Sequence, residues 1–203
     1  MADTDRRETI LEAARKLFNQ RGYHEVTMRD VADAVGIRVG NLTYYFAKKQ
    51  DLMEAVVLKM HSQFAPPQVP DTLALLDSWF HGMKRHIEDN AYYYWHYTQL
   101  AQLSPVVREI QQRVAPVHHQ MLQSALEKLA AAGMLRPESY PGQYRRVAES
   151  LQIVYTYWTP HSHTLPGGLG SFMGNVWAVL RPLLSDEGQA CFERDIRPHI
   201  PKR

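Results

Sequence analysis

Apolar residues recur at intervals of three and four positions along most of the chain, which is the spacing of one buried face of an α-helix. The first such stripe contains Ile10, Ala14, Leu17 and Phe18. Later segments repeat the pattern, and none shows the sustained alternation with a period of two that indicates β-strands. The pattern therefore predicts an all-α protein.

Two short helices separated by a tight turn are predicted near the N-terminus. Thr27 stands three residues before Asp30, an arrangement close to the capping box that begins a helix, and Gly36 ends that helix and permits a sharp turn. The second short helix spans about residues 39–45, and another helix begins at Lys49. Helix, tight turn and helix at this spacing are typical of a DNA-binding helix-turn-helix, whose second helix lies in the major groove.

The rest of the chain is predicted to form longer helices. Pro66, Pro67 and Pro70 interrupt the apolar stripe of the preceding helix and mark the best candidate boundary in the chain. Pro116 lies inside a long apolar stripe and is expected to kink or split that helix. The last two predicted helices, about residues 143–159 and 171–185, frame a stretch, residues 151–180, that carries no Lys, Arg, Asp or Glu.

The charge balance excludes a general polyanion-binding protein, because 23 Lys and Arg residues face 21 Asp and Glu residues and the net charge is +2. A nucleic-acid surface must therefore be local. Residues 34–50 contain three cations, Arg38, Lys48 and Lys49, and no carboxylate. This basic patch includes the second helix of the helix-turn-helix. The single cysteine, Cys191, excludes an intramolecular disulfide and a four-cysteine zinc site.

Several motifs run in order through residues 10–57: Ile10-Leu11-Glu12-Ala13-Ala14 with Leu17-Phe18, Arg21-Gly22-Tyr23, Val26-Thr27-Met28-Arg29-Asp30-Val31-Ala32 through Gly36, Gly40-Asn41-Leu42-Thr43-Tyr44-Tyr45-Phe46, and Lys49 before Leu52. In these motifs the segment resembles the N-terminal domain of the TetR/AcrR family of transcriptional regulators. The match covers about 48 of the 203 residues, and its motifs are dense and correctly spaced. The resemblance implies a three-helix helix-turn-helix DNA-binding domain, taken as residues 1–48, followed by a helical ligand-binding and dimerisation domain, taken as residues 49–203.

Carried over by position, residues 38–45 form the recognition helix. Gly40, near the start of this helix, would let the backbone come close to a phosphate. The resemblance implies that phosphates are contacted by Thr27, Tyr44, Tyr45 and Lys49, with Arg29 close enough to help. Base readout is expected from Arg38, Val39, Asn41 and Thr43, because Arg can pair with guanine, Asn with adenine, and the Thr methyl group with thymine. Arg38 stands where the family usually has a capping Ser or Thr, and Thr43 where it usually has Tyr.

Aromatic residues are concentrated in the second predicted domain. The family usually encloses an inducer pocket there, and an aromatic lining suits a flat, largely apolar ligand. The residues predicted to line it are Trp79, Met83, Tyr92, Trp95, His96 and Tyr155. Aromatic side chains at helical spacing can equally be core, and the four adjacent aromatic residues 92–95 turn through about 300° of a helix, so they cannot all face one pocket.

The two C-terminal helices carry few charges and need cover on more than one side. The resemblance implies that they pair with those of a second subunit as a four-helix bundle. The residues predicted to form this dimer interface are Leu151, Val154, Trp158, Phe172, Val176, Trp177 and Leu180. An isologous homodimer is therefore expected.

No metal, cofactor or catalytic site is predicted. His161 and His163 have a feasible chelating spacing, but zinc sites usually need three or four ligands with a clear pattern. No nucleophile or metalloprotease motif is present, so we do not expect an enzyme. The N-terminus leads into no apolar stretch, and Pro160 and Pro166 interrupt the charge-free segment, so we expect neither a signal peptide nor a membrane helix. The interpretation is a cytoplasmic protein.

These features together predict a ligand-responsive transcriptional regulator, with repression favoured over activation. Its expected partners are a palindromic double-stranded DNA operator, a second copy of the chain, and an aromatic or apolar small-molecule effector. One alternative is a helical small-molecule-binding protein or enzyme without DNA affinity. Another is a DNA-binding protein that has no ligand and whose aromatic cluster is dry core.

Overall fold

The computed structural model describes residues 2–62, 68–162, 164 and 170–200, and their regular structure is helical. Within these residues no strand occurs, and Leu135 and Leu184 form an isolated antiparallel bridge. The predicted all-α fold is confirmed. The α-helices in chain order are α1 (Ala2–Arg21), α2 (Met28–Ala34), α3 (Val39–Tyr45), α4 (Lys49–Ser62), α5 (Leu73–Asp89), α6 (Ala91–Trp95), α7 (Tyr97–Leu103), α8 (Pro105–Ala131), α9 (Gln143–Ser162), α10 (Phe172–Leu180) and α11 (Asp186–Cys191).

Local hydrogen bonds fix both ends of α2. The Asp30 amide donates to Thr27 Oγ1 (3.2 Å) and the Thr27 amide donates to Asp30 Oδ2 (2.7 Å), so the predicted capping box is present. At the other end, Gly36 has a φ of 67°, a conformation that glycine adopts without strain. The amide of Ile37 then donates to the carbonyl of Ala32 (3.0 Å), as in a Schellman motif. This turn sets the direction in which α3 leaves α2.

The chain divides into two compact units. The first contains residues 1–65 and 89–112, and the second contains residues 66–88 and 113–203. The first unit thus places α4, α6 and α7 with the first three helices, whereas the predicted boundary assigns them to the second domain.

The helix α8 begins in the first unit and continues into the second. It is not split at Pro116, contrary to one of the two outcomes expected there.

The core of the first unit follows the predicted apolar stripe of α1. Ile10, Ala14 and Phe18 are fully buried, whereas Leu17 is only half-buried. The Phe18 ring contacts the Tyr23 ring, with centroids 5.5 Å apart. These contacts form the base on which the helix-turn-helix rests, since α1 packs against both α2 and α4.

Most of the residues predicted to form the dimer interface on α9 and α10 lie in the core of the second unit. Five of its seven residues are at most 2% exposed and so are closed to a partner chain: Leu151, Phe172, Val176, Trp177 and Leu180. Trp177 shows how the chain covers them, because its Nε1 donates to Asp77 Oδ1 (2.7 Å) and its ring packs 5.0 Å from that of Phe192. The two other predicted residues, Val154 and Trp158, are half-buried.

Candidate nucleic-acid interface

The helix α3 has one buried side and one open side. Leu42 and Phe46, at 0% and 4% exposed, pack it onto the first unit. Tyr44 is 83% exposed, and its ring lies edge-on to that of half-buried Tyr45, with centroids 5.4 Å apart. The Tyr44 side chain therefore lies on the open side of α3, away from the core.

The open side of α3 presents the residues predicted to read bases. Arg38 and Asn41 are exposed and three residues apart, so they are neighbours on the helix surface. No hydrogen bond or ion pair to either side chain is recorded within the described part of the chain. Arg38 is the N-cap of α3 but makes no capping bond, as its lack of an acceptor predicts. Both side chains therefore keep their donors for an external ligand.

The other candidates on α3 are partly used by the chain. Thr43 is exposed, but its hydroxyl donates to the Gly40 carbonyl (2.9 Å), which leaves its methyl group and its lone pairs for DNA. Val39 is half-buried. Gly40 is exposed, has no positive φ, and a Cβ added there would meet nothing within 4 Å. The chain's own packing therefore does not require glycine at this position.

Two of the residues predicted to contact phosphates, Thr27 and Arg29, lie at the start of α2. The Thr27 hydroxyl donates to Asp30 Oδ2 (2.6 Å) and accepts from the Asp30 amide. Hydrogen bonds from Thr27, and then from Arg21, hold the pKa of Asp30 well below its usual range. The Thr27 hydroxyl proton is thus committed to a carboxylate. Arg29 is exposed, and no acceptor for it is recorded among the residues that the structure describes.

Lys49, which is also predicted to contact a phosphate, bonds to carbonyl groups of its own chain. It is half-buried, and its ammonium group donates to the carbonyl oxygens of Tyr23, His24 and Val26 at 3.0, 3.1 and 3.0 Å. Burial lowers its pKa. Its neighbour Lys48 is exposed.

Two cations near α3 were absent from the predicted contacts. Lys48 belongs to the basic patch recognised in the sequence, and that patch was the available signal. Arg7, on α1, lies with its Cζ 5.2 Å from the Phe46 ring centroid, so it stands at the C-terminal end of α3. No local motif pointed to it, because the two residues are far apart in sequence.

The residues predicted to line an effector pocket fall into both units. In the second unit Trp79 lies beside Tyr155 and His118, with centroids 6.0 and 6.1 Å away, and Tyr155 Oη is 3.4 Å from His118 Nδ1. Met83 is 1% exposed. Burial, followed by the charge of His86, lowers the pKa of His118 to about 4. No local pattern indicates that His118 faces inward, because its partner Tyr155 lies 37 residues later in the chain.

The remaining predicted pocket residues lie in the first unit. Tyr92 is 2% exposed and packs against Phe18, with ring centroids 5.4 Å apart. Among the described residues its buried hydroxyl has no hydrogen-bond partner. Trp95 is 44% exposed, against the prediction that it lines an enclosed pocket. The ring of His96 lies 5.4 Å from that of His24, and its Nδ1 is 2.8 Å from Gln99 Oε1.

Comparison with protein families decides the identity of this arrangement. The model for bacterial regulatory proteins of the tetR family matches residues 10–56, and the model for a bacterial transcriptional repressor matches residues 52–192. The chain belongs to the TetR family. It is therefore a helix-turn-helix regulatory protein rather than an enzyme.

Individual relatives and solved structures resemble the chain over different lengths. The repressor KstR2 of Mycobacterium tuberculosis is 38% identical over 52 residues, which are 26% of this chain and 26% of that protein. The match thus spans about a quarter of the relative's length. A TetR-family regulator from Marinobacter aquaeolei has a TM-score of 0.82 at 20% identity, with 96% of this chain and 98% of that chain covered. A SmeT–triclosan complex has a TM-score of 0.60 at 18% identity, covering 90% and 93%. At these identities the two structures support the fold alone.

The described residues contain no group of three or more His, Cys, Asp and Glu side chains that could hold a metal ion. Of the two histidines considered as chelators, His163 lies outside the described residues. In the helices that the structure describes, none is long and apolar enough to span a bilayer.

Proposed function

We propose that this TetR-family protein is a transcriptional repressor that binds a palindromic DNA operator as a homodimer and leaves it when a small-molecule effector binds. The observation that carries the proposal is the open side of α3. Arg38 and Asn41 are exposed there with no recorded acceptor or donor among the described residues, while Leu42 and Phe46 hold the opposite side in the core. Since its target is DNA, we place its action in the cytoplasm.

In the proposed complex α3 enters the major groove. Arg38 pairs with a guanine and Asn41 pairs with an adenine, because their donors and acceptors match those base edges. Tyr44 and Arg29 donate to phosphates on either side. A homodimer presents two such helices to successive major grooves about 34–36 Å apart, which is why the operator is expected to be a palindrome.

The homodimer is supported by a different surface from the one first predicted. On α9, Ile153 is 61% exposed and Tyr157 is 43% exposed. They are four residues apart and share one side of the helix, next to half-buried Val154 and Trp158. An apolar stripe of this kind is costly in water, and a second copy of the same stripe covers it in an isologous interface.

The effector is proposed to bind beside Trp79, Tyr155 and His118. A flat apolar molecule suits the two aromatic rings, and one polar group on it can bond to the Tyr155 hydroxyl or to His118. His118 is neutral at pH 7, because burial lowers its pKa to about 4. SmeT, which shares the fold, has been solved as a complex with triclosan, an aromatic molecule of the proposed class.

The test begins with selection of an operator from random DNA, followed by titration of a fluorescent operator fragment with the protein. The proposal expects specific, salt-dependent binding with two protomers per site, and release by an aromatic compound that also protects the protein against thermal unfolding. As a control, Trp79→Ala keeps operator binding and loses the response to that compound. Failure to select any sequence would overturn the proposed function. Specific binding that no aromatic compound alters would leave a DNA-binding protein whose aromatic cluster is core.

A further inference from the structure

The loop between α1 and α2 is held by cationic side chains. Within the described residues, the partners recorded for four consecutive carbonyl oxygens, those of residues 23–26, are ammonium and guanidinium groups rather than backbone amides. Arg21 Nη2 donates to the carbonyl of Glu25 (3.2 Å), and Lys49 Nζ donates to the other three. The contacts to Tyr23 and Val26 are partly buried, and a carbonyl group removed from water needs a hydrogen-bond partner. At these two positions the loop therefore depends on Lys49 for its conformation.

The ammonium group of Lys49 is saturated by these contacts. A lysine carries three donors, and each is used by one carbonyl, at 3.0 Å for Tyr23, 3.1 Å for His24 and 3.0 Å for Val26. The same nitrogen lies 4.5 Å from the centroid of the Tyr23 ring, within the range of a cation–π interaction. Tyr23 and Val26 are themselves buried, at 7% and 0% exposed. The Lys49 ammonium group therefore bonds to acceptors within the first unit and has no donor left for a phosphate.

The contact between Lys49 and the loop is connected through α2 to the predicted DNA-binding helix α3. Lys49 is the first residue of α4, and the loop it grips leads directly into Thr27, the N-cap of α2. The turn at Gly36 then joins α2 to α3. A displaced loop therefore moves the start of α2 and, through that turn, the direction of the recognition helix.

We propose that Lys49 is a positioning residue for DNA recognition, and that the phosphate contact expected of it belongs to exposed Lys48 instead. This inference rests on the proposed DNA-binding function. If Lys49 reached a phosphate, it would abandon three carbonyl groups for which no other partner is recorded among the described residues. Lys48 would abandon nothing comparable, since its recorded hydrogen bond comes from its backbone amide to Asp51 Oδ2 (3.0 Å).

Two adjacent substitutions separate a positioning role from a phosphate contact. Lys49→Met keeps the aliphatic stem and removes all three donors, and Lys48→Met is its matched control. Operator affinity is measured over a salt series, because each phosphate contact that is lost lowers the slope of log K against log salt by about 0.9. We expect Lys48→Met to lower that slope by about 0.9, the contribution of one phosphate contact. We expect Lys49→Met to weaken binding about tenfold or more while the slope stays that of the parent.

Hydrogen exchange of the DNA-free protein supplies the readout that does not depend on DNA binding. Lys49→Met should speed exchange of the amides of residues 22–28, and Lys48→Met should leave them unchanged. If the parent binds no operator, the proposed function fails, while this exchange still decides whether Lys49 holds the loop. The inference is overturned if Lys49→Met lowers the salt slope by about 0.9, or if loop exchange in that variant matches the parent.

A charge-conserving variant guards against misfolding of Lys49→Met. Lys49→Arg keeps the positive charge, but its planar fork cannot donate from one atom to three carbonyl groups. The positioning role predicts faster exchange of residues 22–28 and weaker operator binding in Lys49→Arg. A phosphate contact predicts parental values of both, and that result would overturn the inference.

Discussion

The open side of α3 and the apolar face of α9–α10 are both predicted from the sequence to be binding surfaces, but in the structure the first is exposed and most of the second is buried. On α3, three of the four residues predicted to read bases are exposed, namely Arg38, Asn41 and Thr43, and Val39 is half-buried. On α9–α10, five of the seven residues predicted to form a dimer interface lie in the core of the second unit. A motif with fixed spacing specifies which side of a helix faces out. An apolar stripe specifies only that something covers it, and here the chain itself does.

The largest effect is expected on the buried apolar face of α9–α10. Trp177→Ala removes a 2% exposed side chain together with its hydrogen bond to Asp77, so it should lower the free energy of unfolding by about 3–5 kcal/mol in chemical denaturation. The control is Ile153→Ala on the exposed side of α9, which should weaken self-association in sedimentation and keep the helical content. A Trp177→Ala protein that dissociates but unfolds as the parent does would restore the first predicted interface.

The next effect concerns the titration of His118 in the same unit. Its pKa is lowered from 6.5 to about 4 because burial disfavours the charged form. The unfolded chain therefore binds a proton between these pH values that the folded chain does not, so stability falls as the pH drops from about 6.5 towards 4, by up to about 3 kcal/mol. His118→Gln should flatten this part of a plot of unfolding free energy against pH. An identical slope in parent and variant would show that His118 is solvated.

The smallest expected effect lies on α3 and has opposite signs for folding and binding. A Cβ at Gly40 meets no atom within 4 Å, so Gly40→Ala should stabilise the free protein by up to about 1 kcal/mol. If the backbone at Gly40 approaches a phosphate, as predicted, the same methyl group should weaken operator binding. Thermal unfolding and operator titration of one variant measure both quantities. Unchanged operator affinity would remove Gly40 from the interface.

Much of the first unit could be predicted from sequence because its determinants are local. The capping box of Thr27 with Asp30 and the turn at Gly36 involve residues at most five positions apart. The role of Lys49 could not be found in this way. Its three carbonyl partners lie 23 to 26 residues earlier in the chain, and a lysine in a basic patch has the same appearance in sequence whether its ammonium group is free or buried.

The second unit shows the same limit more strongly. Trp177 bonds to a carboxylate 100 positions away, and His118 lies 37 positions from Tyr155. Helical periodicity identifies which residues of one helix share a face, but it holds no information about which helix covers that face. The family resemblance implies that a second subunit covers the face of α9 and α10, whereas in the structure side chains of the same chain cover most of it.

The central claim is that the open side of α3 reads DNA, and Asn41→Ala tests it most directly. Affinity is measured for the selected operator and for versions with each adenine changed in turn. The account predicts that Asn41→Ala weakens binding to the operator by about 1–3 kcal/mol, or roughly 5–150-fold, and no longer distinguishes one particular adenine from its replacement. A variant that binds as tightly as the parent and discriminates among all the altered operators as the parent does would contradict it.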